Sequence, residues 1–492
     1  MSQRGFYRPE GAWVGDLIPW QQDGEFHLFY LHETRSQPKT GMPWHRVVTR
    51  NLIDFEEAGV ALASGGPLAK DFNVYTGSIV LDDDDVHHVF YTGQNPRRTG
   101  DDGLPLQLVL HATSRDGMLT WQRHPLHTFG ATAGYETADW RDPFVFRDEA
   151  AGLWRMLITA RHSDGPARRR GVIAQCTSVD LVEWEAAEPF WDPRRVIAHE
   201  CPEVFQWGDW WYLVSSEFSD AFTTRYRMAR DLEGPWLVPE HDTIDGRAFY
   251  AAKSAERDGR RFFFGWIASR EGSRDDGAWQ WAGTLSVLEA EQRADGTLAF
   301  HPADELRRTF DQPSEAVVHS PTVLDAPDGF AQVLTASDAP TAFRLVVSLD
   351  LSAGTTECGV LLSASADGDE GYAFRLEPKR HRLVLDRWPR RSTGSEQWQI
   401  SGDVPFVVEL ERPCRLDPGV HVLEVIVEGD LCIATVDDEV VLSTRLYDRP
   451  AGRIGVFVGE GRVTVDGFAV TGRLEDAVPR VREGDLVAST RS

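Results

Sequence analysis

Apolar residues in this chain seldom recur at helical spacing. They come in short strand-like runs, each closed by a turn. One run returns five times: Phe26-His27-Leu28-Phe29-Tyr30, His88-Val89-Phe90-Tyr91-Thr92-Gly93, Trp154-Arg155-Met156-Leu157-Ile158, Trp210-Trp211-Tyr212-Leu213-Val214 and Arg261-Phe262-Phe263-Phe264-Gly265-Trp266. The copies lie about 50 to 70 residues apart, which suits a four-stranded propeller blade with its loops. A polar turn leading into an aromatic follows most of them, as in Asn51-Leu52-Ile53-Asp54-Phe55, Ser114 to Trp121 and Ser178 to Trp184, with a looser copy from Ala229 to Trp236. Ser and Asp cap such turns and the aromatic staples them to the sheet, so this second motif reads as structural.

The pattern predicts an all-β protein: a five-bladed β-propeller followed by a C-terminal β-sandwich. The propeller is expected over residues 1–300. Residues 301–315 read as a linker with a short helix around Ala303 to Thr309. Alternating strands then fill 316–474, among them Phe343-Arg344-Leu345-Val346-Val347 and Val420 to Val427, joined by hairpin turns such as Glu428-Gly429-Asp430. Residues 475–492 read as a polar tail.

Length agrees, since 492 residues are too many for one ordinary core. A formal net charge of -26 argues against binding nucleic acid or an anionic membrane surface. It suits a neutral, small substrate. No apolar run is long enough to span a bilayer, and the first residues hold no secretory leader. The cysteines Cys176, Cys201, Cys358, Cys414 and Cys432 fit neither a disulfide framework nor a zinc site. The expectation is a cytoplasmic protein with reduced thiols, with homo-oligomerisation through the sandwich left open.

Candidate chemistry lies ahead of the repeated strands. Asp16, Asp142 and Glu200 each fall about thirteen or fourteen residues before the middle of a repeat. The same phase in blades two and five falls on Tyr75-Thr76 and Tyr250-Ala251. Inner strands of a propeller line its central channel, so these five positions should converge on one pocket. Carboxyl groups around a pocket are the equipment for cleaving glycosidic bonds: one attacks the anomeric carbon, one protonates the leaving oxygen, and a third stabilises developing positive charge.

These residues also carry a resemblance. Trp140-Arg141-Asp142-Pro143 and Glu200-Cys201-Pro202, in that order and at blade spacing, resemble the Arg-Asp-Pro and Glu-Cys motifs of glycoside hydrolase family 32. His27-Leu28-Phe29-Tyr30, Tyr91-Thr92-Gly93 and Tyr250-Ala251-Ala252 echo other strands of that family. The resemblance implies a retaining enzyme for β-fructofuranosides that needs no metal or cofactor. It assigns Asp16 as nucleophile, Glu200 as acid/base and Asp142 as transition-state stabiliser, with Arg141 reaching a sugar hydroxyl or holding Asp142. A fructosyltransferase and a non-catalytic sugar-binding propeller are the rival expectations.

The first motif departs from the family. Gly15 stands where the family has Asn, Leu17-Ile18-Pro19 replaces Pro-Asn-Gly, and Leu31 replaces Gln. The resemblance implies that two contacts to the bound sugar are missing, or are replaced by side chains such as His32 or Glu33. Candidate sugar-binding residues are Trp13, Trp44, Tyr75, Thr76, Arg141, Tyr250 and Trp281. Trp44, Tyr75 and Trp281 could equally be packing residues. Glu203 is a structural rival to Glu200. The acidic run Asp82 to Asp85 reads as a solvated hairpin tip, and His87-His88 as a strand edge.

Overall fold

A computed structural model describes residues 4–389 and 410–473. The chain forms two compact units. The first runs up to Glu305 and includes Asp438–Arg445; the second holds the other described residues from Leu306 onward. The expected tail from 475 lies outside the described residues.

The first unit is the propeller. Its blades begin with the inner strands Trp13–Gln22, Asn73–Leu81, Tyr135–Asp148, Glu200–Trp207 and Phe249–Arg257. Each blade continues outward by antiparallel pairing. The second strands are Glu25–Glu33, His87–Thr99, Leu153–His162, Trp210–Glu217 and Arg260–Arg270. The fivefold apolar run is this second strand in every case. Trp279–Gln292, the third strand of blade five, pairs Gly283 with Val14 of blade one, which closes the ring.

The second strand is apolar on consecutive positions because both its faces are buried between blades. Phe26, Leu28 and Tyr30 pack against Phe262, Phe264 and Leu285 of blade five, while Phe29 and Leu31 pack against Val74, Val89 and Tyr91 of blade two. Phe90 then faces Val145, Met156 and Ile158 of blade three, and Leu157 faces Val204 and Leu213 of blade four. Between blades four and five, Phe205 meets Phe263 edge-on with ring centroids 6.2 Å apart.

The turn motif is structural, as expected. Ser114 Oγ and Asp116 accept backbone bonds from Met118, Leu119 and Thr120, and Ser178 and Asp180 do the same for Leu181, Val182 and Glu183. These bonds hold Met118 and Leu181 at φ of 64° each, with both side chains buried. Asp82 likewise caps its hairpin tip through the amides of Asp84 and Val86.

The second unit is the sandwich, organised by the long strand Arg453–Gly472. Its first part pairs with Glu357–Ala364 and its later part with Ala342–Leu351, so it joins these two strands in one continuous hydrogen-bonded order. Ala342–Leu351 alternates buried and half-buried positions, as a strand with one face on a core must. A helical turn, Asp304–Arg307, follows the last propeller strand, Leu298–Pro302.

Candidate active site

Every inner strand is irregular at the same place. The ladder to the second strand slips between Val14 and Leu17, Tyr75 and Gly77, Arg141 and Phe144, Glu200 and Glu203, and Tyr250 and Lys253. These are bulges, which leave one or more residues unpaired and re-aim side chains. Asp142, Cys201 and Ala251 sit within them at φ of 56°, 51° and 51°, a conformation that costs a non-glycine residue about 1 kcal/mol or more. The repeat is therefore a structural device. In blades one to four, residues in or beside the bulge line the central cavity: Asp16, Thr76, Asp142 and Glu200.

A cavity of about 450 Å³ opens there. Asp16, Asp142 and Glu200 all line it, together with Tyr75, Thr76, Arg141 and Trp281. Asp16 is half-buried and accepts bonds from Thr76 Oγ1 at 2.8 Å and from Trp266 Nε1 at 3.2 Å. Asp142 is buried and accepts from the Cys201 amide at 3.0 Å and from Thr159 Oγ1 at 3.1 Å. Glu200 accepts from Tyr250 Oη at 2.6 Å and from Arg141 Nη2 at 3.1 Å. Arg141 also pairs with Asp139, and its Nε lies 3.7 Å from Asp142.

One guanidinium thus serves several carboxyl groups. Burial pushes the Asp16 carboxyl up to about 6; Asp142 and Glu200 add to the rise, while the Thr76 and Trp266 bonds oppose it. Burial also raises the Glu200 carboxyl, against the pull of Arg141 and the Tyr250 bond and with the help of Asp142. Burial works against the charge on Arg141, but Glu200, Asp142 and Asp139 hold it protonated beyond its ordinary range. Chemically this is a negative pocket able to keep one carboxyl protonated while another attacks.

Three candidates stand elsewhere than expected. Trp44 is 1% exposed, packs between blades one and two, and donates its indole N–H to the Tyr75 carbonyl, so it is a core residue and offers no sugar platform. Trp13 lies outside the cavity lining, with the Arg35 guanidinium 3.9 Å from its ring centroid. Tyr250 is buried against Phe222 and reaches the site only through its hydroxyl, which holds Glu200 rather than lining the cavity. Glu203 is buried too and accepts bonds from the Ser254 amide and hydroxyl.

Sequence reasoning missed Asp139, Gln107, Asn73, Thr34, Ser36, Lys39 and Met42 in the lining, and Trp266 behind Asp16. Asp139 could have been found, because it lies two positions before Arg141 and so on the same strand face. Trp266 was concealed in an apolar run that reads wholly as core. Residues 33–41 carry no periodic signal at all. His32 and Glu33 do line the cavity, and Glu33 is paired with Lys39 at 2.7 Å.

A sequence model described as the glycosyl hydrolases family 32 N-terminal domain matches residues 7–302. A sucrose-6-phosphate hydrolase of Zymomonas mobilis is 25% identical over 409 residues, covering 77% of this chain and 76% of its own length. A raffinose invertase of Escherichia coli is 26% identical, covering 77% of this chain and 78% of its own. Among solved structures, sucrose-6-phosphate hydrolase from Lactobacillus gasseri superposes with a TM-score of 0.73 at 17% identity, over 96% of this chain and 93% of the other. Exo-inulinase from Aspergillus awamori does so at 0.72 and 18%, over 96% and 97%. At such identities the structural likeness speaks for the fold.

Proposed function

This chain belongs to glycosyl hydrolase family 32 and is a glycoside hydrolase, and from that premise we propose that it hydrolyses terminal β-fructofuranosides with retention of configuration. In this reading an Asp16 oxygen attacks the anomeric carbon as the glycosidic C–O bond breaks. Glu200 delivers its proton to the departing oxygen. Glu200, now a carboxylate, then takes a proton from water, which attacks the glycosyl ester and frees Asp16. Asp142 faces the positive charge that develops on the ring, and Arg141 orders Glu200 and Asp142.

The observation that carries this reading is convergence: Asp16, Asp142 and Glu200 reach one cavity from three blades, each in or beside the bulge of its inner strand. The cavity is of small-ligand size, and its acidic character suits an uncharged sugar. Relatives named as sucrose-6-phosphate hydrolase, invertase and levanase support β-fructosyl as the transferred unit. The substrate is a small glycoside or oligosaccharide. None of the five cysteines forms a disulfide, which fits a cytoplasmic setting.

The test is a panel of aryl and alkyl furanosides, sucrose and short fructans, with NMR of the first-formed product. Release of β-fructose carries the reading. Release of the α anomer would replace retention by inversion, and inertness toward every furanoside would overturn the assignment of the substrate.

A further inference from the structure

A second cavity, of about 10 Å³, lies in the propeller away from the carboxyl pocket. It is lined by Trp191, His199, Glu217 and the side chains of Arg195, Arg225 and Arg227. That is room for one water or one monatomic ion and nothing larger. His199 is 3% exposed and Arg227 is 4% exposed. His199 Nε2 and Arg227 Nε are both buried, and neither meets a hydrogen-bond partner in the protein. A buried donor left without an acceptor is costly, so two of them at one small cavity call for an occupant.

Charge decides which occupant. Arg225 pairs with Glu217 at 2.7 Å and with Asp242 at 2.6 Å, and Arg227 shares Asp242 at 2.6 Å. Two carboxylates thus answer two guanidinium groups. Arg195 adds a further positive charge to the lining and forms no ion pair among the described residues. Asp192, the acid that acts on His199, is engaged by His162 and Arg194. Burial pushes the His199 imidazole down to about 3, and Arg227 and Arg195 add to the fall, so the ring is neutral and carries one N–H. The unbalanced positive charge favours an anion over water.

We propose that this cavity binds a monatomic anion, chloride, held by the N–H groups of His199 Nε2 and Arg227 Nε in the field of Arg195 and Arg225. The anion gives both donors an acceptor and balances Arg195. Sulfate and phosphate are too large for the space. The place of the cavity gives the ion a task. His199 directly precedes Glu200, and its carbonyl oxygen lies 2.9 Å from Thr159 Oγ1, which also bonds Asp142. The bound anion anchors the chain where it enters the inner strand of blade four. The site is independent of which glycoside the carboxyl pocket takes.

The test is thermal unfolding of the full chain in sodium chloride and in sodium gluconate, each at about 0.2 M, for wild type, His199→Phe and Arg195→Gln. Matched ionic strength screens the net charge equally, so specific binding is what separates the proteins. The gain in Tm from gluconate to chloride should be about 1 to 3 °C larger in wild type than in His199→Phe. Arg195→Gln should keep less than about half of that margin. Bromide should replace chloride, and crystals grown in sodium bromide should show an anomalous peak within hydrogen-bond reach of His199 Nε2. A wild type whose response to the two salts matches that of both variants overturns the proposal, as does a cavity that holds only water in the bromide crystals. If His199→Phe does not fold, Arg195→Gln, a change at an exposed position, and the bromide map decide the matter.

Discussion

Asp16 carries the sharpest expectations at the scale of single residues. Asp16→Asn and Glu200→Gln should each lower kcat/KM on a β-fructofuranoside by about three orders of magnitude or more, with circular dichroism unchanged. Full activity in either would remove its assigned role. Because the Asp16 carboxyl is pushed up to about 6, kcat/KM should fall as pH drops through that region and the proposed nucleophile protonates. Thr76→Val deletes a bond that favours the carboxylate, so this acid limb should move to higher pH. The same shift has a cost in stability. A carboxyl that is harder to ionise in the folded state than in the unfolded one (ordinarily near 3.9) destabilises the fold above about pH 6, and the penalty vanishes below about pH 4. Asp16→Asn should therefore be more stable than wild type at pH 8, on the order of 1 to 2 kcal/mol given its half-exposed position, with the gap closing by pH 4. The three acids, Arg141, Tyr75 and Thr76 were legible from repeat phase and motif, whereas Trp281 was one of three aromatic candidates set equally against packing. Trp44 was not, because an indole reads the same in a seam as in a pocket.

At the scale of elements, the second strand of each blade carries the packing, and the first strands supply the carboxyl groups of the cavity. Phe90 shows the division. It is buried in the seam between blades two and three, stacked on His111 with centroids 4.4 Å apart and meeting Trp184 edge-on. Phe90→Ala should cost about 3 to 5 kcal/mol in urea unfolding. Its kcat/KM at low temperature should stay within about twofold, since Phe90 is outside the cavity lining. An enzyme that loses activity and keeps its stability would contradict that division. The repeated strand was visible because burial on two faces forces consecutive apolar positions. The bulges beside it were not visible, because an extra residue in a ladder exists only relative to the partner strand. Asp142, Cys201 and Ala251 hold left-handed backbone that nothing in their residue types announces.

At the scale of the whole molecule, the propeller closes on itself where Gly283 of blade five pairs with Val14 of blade one. Its formal charge of -26 is spread over a chain with far more acids than bases. Self-repulsion of that size should make the fold salt-sensitive. Raising NaCl from low concentration to about 0.5 M should lift Tm by about 2 to 5 °C at neutral pH. A Tm that falls over this range would mean that the stabilising ion pairs outweigh the net repulsion. The propeller and sandwich were readable at this scale from strand texture alone. The division after Glu305, with Asp438–Arg445 joining the first unit, was not, because a segment distant in the chain enters that unit only through tertiary contact.

What the sequence determined by itself is the number of blades, the class of fold and which three carboxyl groups are the candidates for the chemistry. Each of these is repeated or patterned along the chain, and a pattern survives without coordinates. What only the tertiary structure decided is the packing of Trp281 against Gly15 and Leu31 next to Asp16. Gly15, Leu31, Arg35 and Trp281 come from opposite ends of the propeller sequence and meet because the ring closes. Their relation is one of occupied volume, an indole where a Cβ would be, and volume is a property of neighbours in space that no residue carries in its own name.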